Sequence, residues 1–128
     1  MNQVILVGNI TDDPELRYTA GGTAVANFTL AVSRRLRRDG GWEDVNDGFF
    51  RCVGWRSNAE NAAQTLAKGM RVFVAGRLSQ RSWDDDAGNK RSTVEIQVSH
   101  LGPDLQFATA EVARATAEGS AASAAAVR

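Results

Sequence analysis

Two stretches of the chain interleave aromatic rings with arginines: Phe49, Arg51, Trp55 and Arg56, then Arg77, Arg81 and Trp83. On alternating strands, Phe49, Arg51, Val53 and Trp55 share one face, and Phe73, Arg77, Arg81 and Trp83 share another. Phe49 and Trp55 alone would suit a core, but guanidinium groups in their company would be costly there, which argues for an exposed face. Flat rings beside planar cations offer stacking surfaces for unpaired bases and forked donors for phosphates, the combination that single-stranded nucleic acid requires. Arg34, Arg35, Arg37 and Arg38 form the one dense positive cluster. It reads as a flap of phosphate contacts beside the aromatic groove. Trp42 next to it is either an extra stacking ring or an ordinary residue of a solvated hairpin tip.

Catalytic constellations are absent. There is no Gly-x-Ser-x-Gly elbow, and Gly88-Asn89-Lys90-Arg91-Ser92-Thr93 only echoes a phosphate loop, because it lies between strands and not before a helix. Asp84, Asp85 and Asp86 read as solvated charge on a turn, not as a cation site. A single histidine, His100, and a single cysteine, Cys52, argue against a metal centre and exclude an internal disulfide. No enzyme activity, cofactor or metal is expected. Cys52 is expected to be buried and inert.

The chain has 128 residues, 43% hydrophobic and 23% charged, which suits one soluble globular domain. Fifteen basic residues balance fifteen acidic ones, so any grip on nucleic acid must be local and not a matter of net charge. Thirteen of the cations are arginines, which favours stacking and forked hydrogen bonding over diffuse attraction. The absence of a long apolar run or a secretory leader makes the cytoplasm the expected address, with no membrane partner.

The elements that must position these residues follow from patterning. Gln3 to Asn9 and Val25 to Ser33 read as strands, the second with Ala26, Phe28, Leu30 and Val32 inward. Asp12 to Glu15 reads as a break, and Arg34 to Gly48 as a long polar hairpin connection. Phe49 to Arg56 is the third strand. Ser57-Asn58-Ala59-Glu60 has a capping-box pattern opening a helix from about Asn58 to Lys68, with Gly69 as its stop. Arg71 to Trp83, with Val72, Val74 and Leu78 inward, and Thr93 to Ser99, with Val94, Ile96 and Val98 alternating, complete the set. Five strands with a helix between strands 3 and 4 give an all-β OB-fold barrel over residues 1–107. Residues 108–128, alanine at ten of twenty-one positions, read as a disordered tail. Leu101, Leu105 and Phe107 leave room for a short ordered extension before it.

Several separated blocks resemble the bacterial single-stranded DNA-binding protein (SSB) family. They are Val4 to Asn9, Asp13 to Tyr18, Ala24 to Ala31, Lys68-Gly69, Val72 to Leu78 and the Trp83 ending. Gly102-Pro103-Asp104-Leu105 followed by Ala108-Thr109-Ala110 looks most like the actinobacterial branch, in which an extra segment clamps subunits together. The resemblance implies a homotetramer of OB-folds that binds single-stranded DNA with little sequence preference. Bases would stack at the positions of Phe49, Trp55 and Trp83, in the service of replication, recombination or repair at the nucleoid. Leu36 stands where the family has a further tryptophan. The ending Ala125-Ala126-Val127-Arg128 is not the family's acidic tip, so the chain resembles either a tailless paralogue or a truncated chain, and recruitment of replication and repair proteins through that tip does not carry over. Three other readings compete: a primosomal-type assembly module with weak DNA binding, a cold-shock-like RNA binder, and, weakest, an enzyme.

Overall fold

A computed structural model describes residues 2–115. It contains β1 (Gln3–Ile10), β2 (Glu15–Tyr18), β3 (Ala24–Arg38), β4 (Gly41–Trp55), α1 (Ser57–Thr65), β5 (Arg71–Asp84) and β6 (Lys90–Pro103). β1 pairs with β5, β5 with β6, β6 with β4, β4 with β3, and β3 with β1 through Asn9↔Ala31 and Ile10↔Leu30. The five strands therefore form a closed ring, the OB-fold barrel. Closure matters because an open sheet of strands this long would expose unpaired edges. Four of the five pairings are antiparallel; the β4–β6 pairing is parallel and spans Arg51↔Glu95 to Val53↔Gln97.

The core is built where alternation put it. Ile10, Phe28, Leu30, Cys52, Val72, Val74, Ile96 and Val98 fill the barrel, and Ala62 and Leu66 of α1 join them. Ala24, Ala26 and Ala59 make a second small cluster, and a side chain on Gly54 would touch Asn58 and Ala59. Small residues at this seam let the helix lie close to β3 and β4. Cys52 is fully buried, and burial pushes its thiol up to about 12, which keeps it protonated at neutral pH.

Several boundaries differ from the sequence reading. The helix follows the fourth strand, because Glu15–Tyr18, read as part of a break, pairs with Ala24–Asn27 as a short strand on the edge of β3. Arg34 to Gly48 is not a loose connection; β3 and β4 run on as a two-stranded arm to a turn at Asp39-Gly40. The helix stops at Thr65, and Gly69, at φ +88°, instead serves the loop, where its N–H donates to the carbonyl of Ile10. The capping box does not form: Arg56, at φ +60°, holds the cap position without a side-chain bond, and the Glu60 carboxylate accepts from the Tyr18 hydroxyl at 3.3 Å. Leu78 and Val94 are exposed, because the β5–β6 hairpin leaves the barrel and nothing covers its inner side there.

β6 continues to Pro103, bringing Leu101 against the core. Residues 104–115 form no helix or strand, with Leu105 and Phe107 exposed. Most of the expected tail, 116–128, lies outside the described residues. Among the described residues no helix is long and apolar enough to cross a membrane.

Gly76 lies where β5 meets both β1 and β6, and a Cβ there would press on the Gln97 carbonyl, 2.9 Å from its carbon. Gly76→Ala should therefore cost about 1–3 kcal/mol, as overpacking does. Urea denaturation reads this directly, and an unchanged midpoint would refute the close approach.

Candidate nucleic-acid interface

The parallel pairing and the β5–β6 ladder set three strands side by side, β4, β6 and β5. Residues on one side of these strands align in rows, with Val53 and Glu95 buried among their neighbours. Arg51 is beside Glu95, which is beside Ser79; Val53 is beside Gln97, which is beside Arg77. Arg81 pairs with Thr93 and Trp83 with Arg91 further out along the hairpin. The face thus gathers Phe49, Arg51 and Trp55 from β4 and Arg77, Arg81 and Trp83 from β5. Phe49 is 67% exposed, Trp55 41% and Trp83 42%, so none is a core ring.

The two indoles each have a polar neighbour. The indole N–H of Trp55 donates to Gln97 Oε1 at 2.9 Å, and the Arg81 guanidinium lies 4.9 Å from the Trp83 ring centroid. Arg81 also reaches Glu95 Oε2 at 3.4 Å, and Arg51 reaches the same oxygen at 3.2 Å. Glu95 is 6% exposed, a carboxylate roofed by two half-exposed cations. Glu95 and Gln97 were missed by the sequence reading, which followed only the apolar alternation of this strand. A charged residue between the apolar Val94 and Ile96 was the available signal.

The arm is divided by a β-bulge. Val32 pairs with Gly48 and Ser33 with Asn46, leaving Asp47 as an extra residue, so the alternation of β4 flips there. Below the bulge the odd residues Phe49, Arg51 and Trp55 face outward; beyond it the even residues Trp42 and Asp44 do, opposite Arg37 and Arg35. Arg35 and Arg37 lie 5.6 and 5.7 Å from the Trp42 ring centroid, and the indole is 60% exposed. Trp42 thus joins the outward face, whereas Leu36 and its pairing partner Glu43 take the other side of the arm together with Arg34 and Arg38.

The arginine cluster is therefore split between two faces, and acids on β4 pair with three of its members. Arg34 meets Asp47 at 2.8 Å, Arg38 meets Glu43 at 3.1 Å, and Arg35 meets Asp44 at 3.6 Å. Among the described residues Arg37, Arg56 and Arg77 form no salt bridge. Arg56 follows β4 at the cap position of α1, apart from the rows of the face. A shallow cleft holding Asp12, Asp13 and Glu15 beside Arg51 marks where positive charge gives way to negative.

At the far end, a cleft of about 440 Å³ opens beside Trp83, with Gln80, Ser82, Lys90 and Ser92 in its walls. The turn that shapes it is tied by Asp85. Its carboxylate accepts from the N–H of Asn89 at 2.8 Å and of Ala87 at 3.0 Å, and pairs with Arg91 at 2.9 Å. The Asn89 N–H, then Arg91, hold the carboxyl below the usual aspartate value. Asp85 therefore serves the turn, and no cluster of metal ligands occurs among the described residues.

Comparison with known proteins identifies the family. The model of the single-strand binding protein family matches residues 1–104. The chain is 49% identical over 118 residues to a single-stranded DNA-binding protein of Mycolicibacterium smegmatis, covering 91% of this chain and 72% of that one. It is 48% identical, with the same coverage, to the corresponding protein of Mycobacterium tuberculosis. The crystal structure of a small single-stranded DNA-binding protein from Streptomyces coelicolor superposes with a TM-score of 0.69 at 34% identity, covering 82% of this chain and 97% of that one.

A depressed folded pKa contributes stability that is present above the unfolded value and lost as pH falls through the folded one. Acidification below the ordinary aspartate value of about 3.9 should therefore loosen the β5–β6 turn. Hydrogen exchange at the Ala87 and Asn89 amides would rise on that descent, and Asp85→Asn would flatten the dependence. Exchange independent of pH in the wild type, after correction for the intrinsic rate, would count against the tie.

Proposed function

The chain belongs to the single-strand binding protein family, and we propose that it binds single-stranded DNA on the outward face of β4, β6 and β5 and along the arm. The observation that carries this reading is the juxtaposition of Phe49, Trp55 and Trp83, each substantially exposed, with Arg51, Arg77 and Arg81 on adjoining strands. Bases stack on the rings while guanidinium groups meet phosphates; every base has a face to stack, so sequence preference is weak. Trp42 with Arg35 and Arg37 extends the track beyond the bulge. Arg34, Arg38 and Arg56 serve as outlying phosphate contacts. Binding belongs to residues 1–107, and its role is to protect and organise exposed strands in replication, recombination or repair.

The pairing pattern gives the arginines unequal roles. On the arm, a guanidinium held by a solvent-exposed carboxylate must share or exchange that partner for a phosphate, whereas Arg77, without a salt bridge among the described residues, can take one directly. Single-strand binding weakens with salt by a logarithmic slope of roughly 0.7 per phosphate neutralised. Arg77→Gln should remove about one such increment, and Arg34→Gln, with Asp47 left behind, less.

A titration of intrinsic tryptophan fluorescence with oligothymidylate and with duplex DNA, at several salt concentrations, tests the whole reading. The single strand should quench strongly and the duplex should not. Trp83→Ala and Trp42→Ala should each weaken binding by about 1–3 kcal/mol while leaving urea stability nearly unchanged. No quenching at low salt would sink the proposal.

We further propose a homotetramer. Ile5 is 76% exposed beside Val7 on the outer side of β1, and Phe73 faces outward next to Val7 on β5. An apolar strip of this kind favours association. Sedimentation should give a tetramer, and Ile5→Glu a smaller species that retains its fold. A wild-type monomer at micromolar concentration would end the idea.

A further inference from the structure

We propose that Glu95 is a positioning residue for DNA binding: an acid beneath the binding face that strengthens, rather than opposes, the grip on a polyanion. The inference rests on the reading of this face as the single-strand site. Among the described residues Glu95 is the one charged side chain that is buried, and it sits on the central strand of the face. Its Oε2 alone meets both cations, Arg51 on β4 and Arg81 on β5. A lone carboxylate with so little water would be expensive, and two guanidinium groups drawn together would repel one another. Each problem is the other's remedy, and the trio keeps one net positive charge.

Long arginine side chains lose considerable rotamer freedom when they meet a phosphate. Here much of that freedom is already gone. Arg51 approaches Glu95 through Nε and Arg81 through Nη2, so most of the five N–H donors on each fork stay available to a ligand. Arg51 and Arg81 remain 49% and 56% exposed, open toward solvent. Arg81 also lies over Trp83. The acid therefore fixes a cation between the rings of β4 and the ring of the hairpin, where a phosphate joining two stacked bases would pass.

Simple electrostatics predicts the opposite sign, and this makes the proposal testable. Glu95→Gln has nearly the same shape and removes one negative charge from the face. Because both arginines are half exposed, no buried charge is stranded, and the thermal midpoint should move little. If Glu95 positions the arginines, oligothymidylate binding weakens roughly tenfold despite the added net positive charge, the scale of one charge-assisted hydrogen bond. The fluorescence of the free protein should also shift, since the cation over Trp83 loses its anchor. Affinity equal to or tighter than that of the wild type would overturn the proposal.

Arg81→Lys supplies a second measurement should Glu95→Gln fail to fold. It keeps the charge but loses the planar fork, so affinity falls if orientation matters and survives if charge alone does, the latter refuting the inference. Wild-type protein that ignores oligothymidylate would refute the single-strand reading itself, whereas tight wild-type binding with unimpaired Glu95→Gln refutes only the role of Glu95.

Discussion

Three consecutive register pairs, Arg51↔Glu95, Cys52↔Ile96 and Val53↔Gln97, hold the molecule's organisation. They are the parallel contact that closes the ring, and no hairpin can supply them, since parallel partners need a long crossover. Here the crossover consists of α1 and β5. The inward member of the trio joins Cys52 to Ile96 in the core. The outward members set Arg51 against Glu95 and bring Gln97 within reach of Trp55. Closing the barrel and assembling the proposed binding face are thus the same event, and a slip of one residue would exchange core for surface.

The electrostatics of the face follow from local pairing and not from total charge. With basic and acidic residues in balance, the chain as a whole repels no polyanion and attracts none. What remains is arrangement. Glu95 gathers two cations, acids on β4 answer three arginines of the arm, and Arg77 stands without a salt bridge among the described residues. Such a surface holds its arginines in place before a ligand arrives. In the proposed mode of binding, rings that stack on bases would add energy that salt does not screen.

Much of the fold was legible because alternation is a local signal. Val72, Val74, Ile96 and Cys52 proved inward and Phe49, Trp55 and Trp83 outward, as the period of two required. Where the reading failed, the cause lay outside the local pattern. Glu15–Tyr18 carries two charges in four residues and becomes a strand only because β3 offers its edge. The arm looked like a loop because neither of its faces is apolar; cross-strand pairing makes it a ribbon. Ser57 to Glu60 matched a capping box, but Tyr18, brought alongside by β2, took the glutamate.

The sequence by itself determined which residues could stack and which could bear charge, the closed all-β architecture, and the sidedness of each strand within the barrel. All of these depend on residue type and on spacing along the chain. Only the tertiary structure decided that Glu95 lies under Arg51 and Arg81, that Gln97 holds Trp55, and that the bulge at Asp47 turns Trp42 outward and Leu36 away. These depend on register between strands far apart in sequence. A one-residue shift in pairing reverses every side chain beyond it, and no pattern within a single strand records where that shift occurs.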